Sequence, residues 1–217
     1  MRYADRADAG RALARLLDAY RVGPPVRVLG LARGGVAVAA PIAHVLGRPL
    51  DVLVVRKLGL PWAPEVAFGA VGPYGVDVRS VDAADRLAPA EAEAVASRAR
   101  DEVDRRIQRY RGDRPPLSLV GEIALVVDDG LATGATAHAA VMLARELKAE
   151  RVVVAVPVGS PQAVATLRTA ADVVVCPEAP QWFDAVSRYY REFDQVTDDE
   201  VMELLAAAWS ESPDPRA

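Results

Sequence analysis

The stretch Ala124-Leu-Val-Val-Asp128-Asp129-Gly130-Leu131-Ala132-Thr133-Gly134-Ala135-Thr136 decides the fold of this chain. It runs from apolar residues into two adjacent carboxylates, then into a loop of small residues, and then into a helix-forming segment. Residues 123–127 are apolar at successive positions, which predicts a parallel strand buried on both faces. Open α/β sheets bind ligands at the carboxyl ends of their strands, so the two acids lie where a ligand is expected.

The loop after the acids suits an anion. Its side chains are small, so its backbone N–H groups can close around a phosphate, and the positive end of the following helix adds to the attraction. An acid pair beside such a cradle suggests a sugar phosphate. The alternative is a plain strand–turn–helix junction in which Asp129 or Thr133 caps the helix. Phosphate loops of the Walker A type and dinucleotide fingerprints do not fit, because no lysine follows Gly134 and Gly-x-Gly-x-x-Gly is absent.

The same stretch resembles the 5-phosphoribosyl-1-pyrophosphate (PRPP) signature of type I phosphoribosyltransferases. The resemblance implies that Asp128 and Asp129 hold the ribose hydroxyls and could contact a Mg²⁺ ion that arrives with the substrate. It assigns the 5′-phosphate to the loop residues Ala132, Thr133, Gly134, Ala135 and Thr136. Gly130 departs from the signature, which usually has an aliphatic residue at that position.

A second informative element is Arg33-Gly34-Gly35, which follows a predicted strand over 26–31. Paired glycines let the backbone approach a ligand closely, and arginine suits a phosphate. Alone, this tripeptide is more often a turn. Ahead of an acid-pair loop it resembles the pyrophosphate-binding loop of the family, in the form typical of guanine and xanthine salvage enzymes.

Residues 58–75 are rich in Gly and Pro and predict a long loop. In the family a mobile loop or hairpin here closes over the active site, so the resemblance implies a mobile segment over about 57–80. It makes Lys57 and Arg56 candidates for contacting the pyrophosphate, and Glu65 a candidate catalytic acid or base. Alternatively, Lys57 and Glu65 are solvated loop charges.

Hydrophobic periodicity and turn residues predict an α/β fold: an open, mostly parallel twisted sheet with helices on both faces, and a small hood built from C-terminal and N-terminal segments. We expect a single phosphoribosyltransferase-like domain over 1–217, with its core at 22–176 and the hood at 177–200. Helices are predicted over 8–20, 36–46, 89–110, 137–147, 161–170 and 198–209, and strands over 26–31, 50–55, 76–81, 123–127, 151–158 and 172–176.

The hood segment is rich in aromatic residues. In the family the hood covers the acceptor base, so the resemblance implies that Trp182 or Phe183 stacks on a planar ring. The alternative is that these rings only pack the hood on the sheet. A Thr197-Asp-Asp-Glu200 capping box predicts the start of the last helix.

Composition narrows the function classes. The 217 residues carry a net charge of −4, which argues against nucleic-acid or membrane-surface binding. The N-terminus lacks the apolar core of a signal peptide, and no apolar run is long enough to span a bilayer. The lone Cys176 cannot form an internal disulfide, and we expect a cytoplasmic protein.

By resemblance, the reaction displaces pyrophosphate from C1 of PRPP by a ring nitrogen, with Mg²⁺ as cofactor and no protein nucleophile. His44 and His138 have no metal-ligand spacing and are expected to be packing or surface residues. The alternative is a non-catalytic PRPP or nucleotide sensor of the same fold. The enzyme is favoured over the sensor because the chain retains Arg33, Lys57 and a full-length loop.

The acceptor base stays open at this level. Enzymes of 6-oxopurine salvage have a carboxylate at the position of Ala132 and often a lysine at that of Ala135, and this chain has neither. The loop is closer to that of adenine phosphoribosyltransferases, where an acid of the mobile loop can serve, which would give Glu65 the role of proton acceptor. The Arg33 loop points to a different branch. We also expect that the chain could form a homodimer.

Overall fold

A computed structural model describes residues 3–79 and 87–211, apart from the side chains of residues 64 and 65. In chain order the strands are β1 (Val26–Leu31), β2 (Leu50–Leu53), β3 (Arg56–Leu60), β4 (Ala63–Val71), β5 (Asp77–Arg79), β6 (Ile123–Val127), β7 (Arg151–Ala155) and β8 (Val173–Val175). The α-helices are α1 (Arg6–Leu16), α2 (Gly34–Leu46), α3 (Pro89–Arg111), α4 (Ala135–Glu146), α5 (Pro161–Leu167) and α6 (Asp198–Glu211).

Five parallel strands form the central sheet, in the order β2-β1-β6-β7-β8. Every residue of β1 and β6 is buried, which explains why both strands are apolar at nearly every position. The exception is Arg27 of β1, which donates from Nε and Nη2 to the buried Glu122 carboxylate, each at 3.0 Å. The other side chains of these strands point alternately into two cores. Val28 and Leu125 belong to a core shared with α1, α2, α3 and α6, whereas Leu29 and Val126 belong to one shared with α4 and α5. The predicted fold class, a mostly parallel sheet covered on both faces, is confirmed.

Several element boundaries differ from the sequence prediction. The first helix begins at Arg6 and ends at Leu16, followed by a separate 3₁₀ turn over Asp18–Tyr20. The second strand ends at Leu53 and the strand predicted to reach residue 158 ends at Ala155. After both strands the apolar run continues into a connection that is itself buried, so hydrophobicity alone could not mark the end of the strand. Part of the strand predicted over 76–81 lies outside the described residues.

The segment predicted as a long loop forms a second sheet. Strands β3, β4 and β5 pair antiparallel in that order. Leu58, Leu60 and Phe68 bury their side chains on one side of this hairpin. The alternation of buried and exposed side chains is not apparent in the sequence, because glycines and prolines interrupt it. Gly69 is needed because a Cβ there would lie 2.4 Å from the carbonyl oxygen of Val78 on β5.

The end of α3 is fastened to the central sheet by a buried ion pair. Arg111 donates from Nε to Asp51 Oδ1 (3.0 Å) and from Nη2 to Asp51 Oδ2 (3.1 Å). Only 1% of Asp51 and 6% of Arg111 are exposed.

The predicted capping box is present at the start of α6, where Glu200 N donates to Thr197 Oγ1 (3.1 Å) and Thr197 N donates to Glu200 Oε2 (2.6 Å).

The buried pair yields a stability prediction. We expect Asp51→Asn to lower the free energy of unfolding by about 3 kcal/mol, because the buried Arg111 guanidinium loses its negative partner. The control is Asp18→Asn, which breaks an exposed pair with Arg21 and should cost about 0.5 kcal/mol or less. Urea unfolding of the two variants measures both values, and equal losses would contradict the prediction.

Candidate active site

Two loops meet at the carboxyl edge of the central sheet. Gly30 of β1 lies opposite Val127 of β6, so the loop after β1 and the loop after β6 leave the sheet side by side. The contact between them is close: a Cβ on Gly34 would lie 2.1 Å from Asp129 Oδ2, and one on Gly35 would lie 2.4 Å from the carbonyl oxygen of Val127. Both glycines are therefore required by packing between the two loops that the sequence singled out.

The acid pair sits at the centre of this edge. Asp128 Oδ1 accepts a hydrogen bond from the Asp129 amide at 2.9 Å, and Asp129 Oδ2 accepts one from Arg6 Nε at 2.8 Å. Burial, followed by the nearby charge of Asp129, raises the pKa of Asp128 well above its ordinary value. Burial also raises the pKa of Asp129, and the Arg6 guanidinium opposes that shift.

Arg6 was not identified from the sequence. Its Nη1 donates to the carbonyl oxygen of Asp194 at 2.7 Å, and its guanidinium carbon lies 3.9 Å from the centre of the Phe193 ring. Tyr190 donates its hydroxyl to the carbonyl oxygen of Asp129 at 2.6 Å. These contacts join both ends of the chain to the acid pair. In the sequence Arg6 is one of several alternating charges near the N-terminus, and no local signal separates it from the others.

The N-terminus is paired with the C-terminal segment by the backbone. Tyr3 N donates to the Tyr189 carbonyl at 2.8 Å, Arg191 N to the Tyr3 carbonyl at 2.9 Å, and Glu192 N to the Ala4 carbonyl at 3.0 Å. Tyr3 and Tyr190 are both buried. This pairing fixes the start of α1, and with it Arg6, against the acid pair.

The small-residue loop after the acids has the geometry of an anion site. Gly134 has a φ of 76° and precedes α4 without a side chain that could cap it. The amide of Ala135, the first residue of α4, donates instead to Thr133 Oγ1 at 3.4 Å. The amide of His138 donates to the Gly134 carbonyl at 2.8 Å, so the earlier amides of α4 have no carbonyl within the helix to bind. A cavity of about 170 Å³ lies here, bounded by Asp128, by residues 130–137 and by Val186. All five loop residues predicted from the sequence line it.

The loop is held in place from behind. Ser160 donates its hydroxyl to the Ala132 carbonyl at 2.8 Å, and Leu131 N donates to the Val158 carbonyl at 2.9 Å. Gly130, the departure from the family signature, has a packing explanation. A Cβ at this position would lie 2.6 Å from Val186 Cγ1, so Val186 occupies the space that an aliphatic residue would need.

A second cavity, of about 540 Å³, adjoins this loop; we refer to it as the cationic cavity. Ala32 and Thr136 line it together with Arg56 and Lys57, so these two predicted cations share a cavity with one residue from the edge of each loop. Arg33 points elsewhere: its Nη1 lies 3.7 Å from Asp198 Oδ1 at the start of α6. A hydrogen bond from Tyr110, supported by the nearby arginines, lowers the pKa of Asp198.

The remaining predicted residues are less closely associated with the acid pair. Trp182 is 88% exposed, whereas Phe183 stacks on Tyr189 with ring centres 5.9 Å apart and planes 8° apart. The backbone of Glu65 belongs to β4, but its side chain lies outside the described part of the structure. His44 is exposed and pairs with Glu211.

Metal-binding residues are sparse. In the two described ranges, no group of three or more His, Cys, Asp or Glu side chains is arranged to hold a metal ion.

The helices of the same ranges are too short or too polar to cross a membrane.

Comparison with known proteins agrees with this geometry. A crystal structure of TT1426 from Thermus thermophilus superposes with a TM-score of 0.89 at 44% sequence identity, covering 95% of this chain and 99% of that one. Two Mycobacterium tuberculosis proteins, named "Putative phosphoribosyl transferase" in strains CDC 1551 and H37Rv, are each 50% identical over 206 residues. The match covers 94% of this chain and 46% of each relative.

The chain thus spans about half the length of the curated relatives that it matches. The family model described as "Phosphoribosyl transferase domain" matches residues 3–194. That range includes Arg6, both loops, the acid pair and Tyr190, and so contains every contact described around Asp129. On the family match and the shared fold together, the chain belongs to the phosphoribosyl transferase family.

Proposed function

We propose that this chain transfers the 5-phosphoribosyl group of PRPP to a nitrogenous base and releases pyrophosphate. One observation carries the proposal: Asp128 lines the same small cavity as the N-terminus of α4. Ribose 5-phosphate carries hydroxyls on one side of its ring and a phosphate at the end of a short arm. Carboxylates accept hydrogen bonds from the hydroxyls, and the loop amides donate to the phosphate.

The described side chains support a mechanism of positioning and charge stabilisation. The acid pair holds the ribose while its negative charge faces a ring that becomes cationic as the bond to pyrophosphate breaks. Arg56 and Lys57 lie in the adjoining cavity, where their positive charges would stabilise the departing pyrophosphate. Such a reaction needs no protein nucleophile. Burial raises the pKa of Cys176 to about 11, so this thiol is protonated and unreactive at neutral pH.

The acid pair also fits a Mg²⁺ ion that arrives with the substrate. Each carboxylate has one oxygen engaged by the described residues: Asp128 Oδ1 by the Asp129 amide and Asp129 Oδ2 by Arg6. The second oxygen of each is a hard ligand of the kind Mg²⁺ prefers, and Mg²⁺ is usually held by one or two carboxylates plus substrate phosphates. When bound, Mg²⁺ would neutralise charge on the pyrophosphate.

We assign the acceptor base to the side of the site covered by residues 182–193. Trp182, being 88% exposed, is available to stack on a planar ring, whereas Phe183 already stacks on Tyr189. Trp182 is therefore the better candidate for a ring contact. The proton acceptor is assigned to Glu65 by family resemblance, and its backbone position on β4 places it on the hairpin that follows Lys57.

Turnover tests the proposed reaction directly. The protein, incubated with PRPP, Mg²⁺ and single purine or pyrimidine bases, should release pyrophosphate with at least one base, and a coupled pyrophosphate assay would detect it. Asp128→Asn protein serves as the control. Binding of PRPP without release of pyrophosphate for any base would contradict the enzyme and favour a PRPP sensor.

Ribose binding by the acids has its own test. We expect Asp128→Asn with Asp129→Asn to reduce PRPP affinity by about 100-fold or more, because two charge-assisted hydrogen-bond acceptors are lost. Calorimetry measures the affinity, and circular dichroism checks that the fold is retained. Unchanged affinity in a folded double variant would refute the assignment.

The two acids should differ in how strongly they affect stability. Burial raises the pKa of Asp128, so its ionised form disfavours folding, and this cost grows as pH rises above the unfolded pKa of about 3.9. Asp128→Asn should therefore be more stable than the natural protein at pH 7, with the difference disappearing near pH 4. Burial also raises the pKa of Asp129, but the Arg6 guanidinium opposes that shift, so Asp129→Asn should gain less stability at pH 7 than Asp128→Asn.

Thermal unfolding of both single variants from pH 4 to pH 8 measures the two gains in stability. An Asp129→Asn variant that gains as much as Asp128→Asn at pH 7, or an Asp128→Asn variant whose effect does not change with pH, would contradict the electrostatic description of the pair.

A further inference from the structure

Helix α3 contributes an unexpected charged row to the cationic cavity. Arg98, Glu102 and Arg106 all line it, along with Arg56 and Lys57 of the hairpin. The three helical residues are spaced by four, so they project from one face of α3. The charged side of an amphipathic helix ordinarily faces solvent. Part of the charged side of α3 instead faces a cavity that reaches Ala32 and Thr136, at the edges of the two loops.

The charge of this cavity is opposite to that of the chain. Its lining holds four cationic side chains and one carboxylate, whereas the whole chain has a net charge of −4. Cations gathered around a concave surface repel each other and attract an anion. The composition of the cavity therefore indicates an anionic ligand with more than one negative charge.

Glu102 acts as the internal counterion of these cations. Its Oε2 lies 2.7 Å from Arg56 Nη2 and its Oε1 lies 2.8 Å from Arg106 Nη2. The Glu102 side chain is 22% exposed, so the pairs are only partly screened by water. An anion that enters the cavity competes with Glu102 for the same two guanidinium groups.

We propose that this face of α3, defined by Arg98, Glu102 and Arg106, is one wall of a binding site for a pyrophosphate group. In this site Glu102 holds Arg56 and Arg106 in place until the pyrophosphate replaces it, and its competition weakens pyrophosphate binding. The identification of the ligand rests on the proposed function, since PRPP carries its pyrophosphate next to the ribose. A site tuned in this way would release its pyrophosphate product more readily.

A purely structural role for Glu102 makes a different prediction. The bridge between Arg56 and Glu102 could serve only to attach the hairpin to α3. Removing it would then lower stability and leave anion affinity unchanged. A purely structural bridge, however, does not account for Arg98 in the same cavity.

Calorimetry with inorganic pyrophosphate, with and without Mg²⁺ at fixed ionic strength, separates these roles. We expect Glu102→Gln to bind pyrophosphate about three- to tenfold more tightly and Arg106→Gln to bind it about three- to tenfold more weakly. The matched controls are Asp104→Asn and Arg105→Gln, which make the same charge changes at exposed positions of α3 outside the lining. Both controls should bind pyrophosphate like the natural protein.

The outcomes are distinguishable from failure of the proposed function. Absence of pyrophosphate binding, or variants that match their controls, would overturn the α3 site even where PRPP binds. A Glu102→Gln protein that unfolds at a lower temperature with unchanged pyrophosphate affinity would overturn the α3 site in favour of a purely structural role for Glu102. Opposite shifts in the two variants, with no PRPP binding by the natural protein, would uphold the anion site and refute the proposed function.

Discussion

The pairing of β1 with β6 is the constraint on which the site depends. With Gly30 opposite Val127, both strands end at the same level and their following loops are forced into contact. That contact leaves no room for a side chain at Gly34, where a Cβ would lie 2.1 Å from Asp129 Oδ2. Two motifs far apart in the sequence therefore form one surface because a parallel register places their strand ends together.

The site has two electrostatic halves. On one side, two adjacent carboxylates are kept partly out of water, which raises the pKa of both, and Arg6 compensates for part of that effect at Asp129. On the other side, the charged residues that line the cavity beside Arg56 and Lys57 are four cations and one carboxylate. A ligand in which hydroxyls adjoin a group with several negative charges matches this division. The proposed substrate PRPP has its ribose hydroxyls next to its pyrophosphate.

Arg6 also explains how both chain ends take part in the site. It contacts Asp129, the Asp194 carbonyl and the Phe193 ring, and the backbone pairing of Tyr3 with residues 189 and 191 holds its helix in position. Movement of the C-terminal segment would therefore change the surroundings of the acid pair. Packing between Gly130 and Val186 adds a second contact between this segment and the loop.

The sequence by itself determined the fold class, the central strand, the acid pair and the small-residue loop. These could be predicted because each depends on local chemistry. An uninterrupted apolar run is stable only when it is buried, and two adjacent acids before a turn of small residues are seldom required by packing alone. The tertiary structure alone decided the positions and contacts of Arg6, of Tyr190 and of the charged row on α3, because the partners of these residues come from distant parts of the chain. It also decided that residues 56–71 form strands, since their alternation of buried side chains is interrupted by glycines and prolines whose placement depends on neighbouring strands.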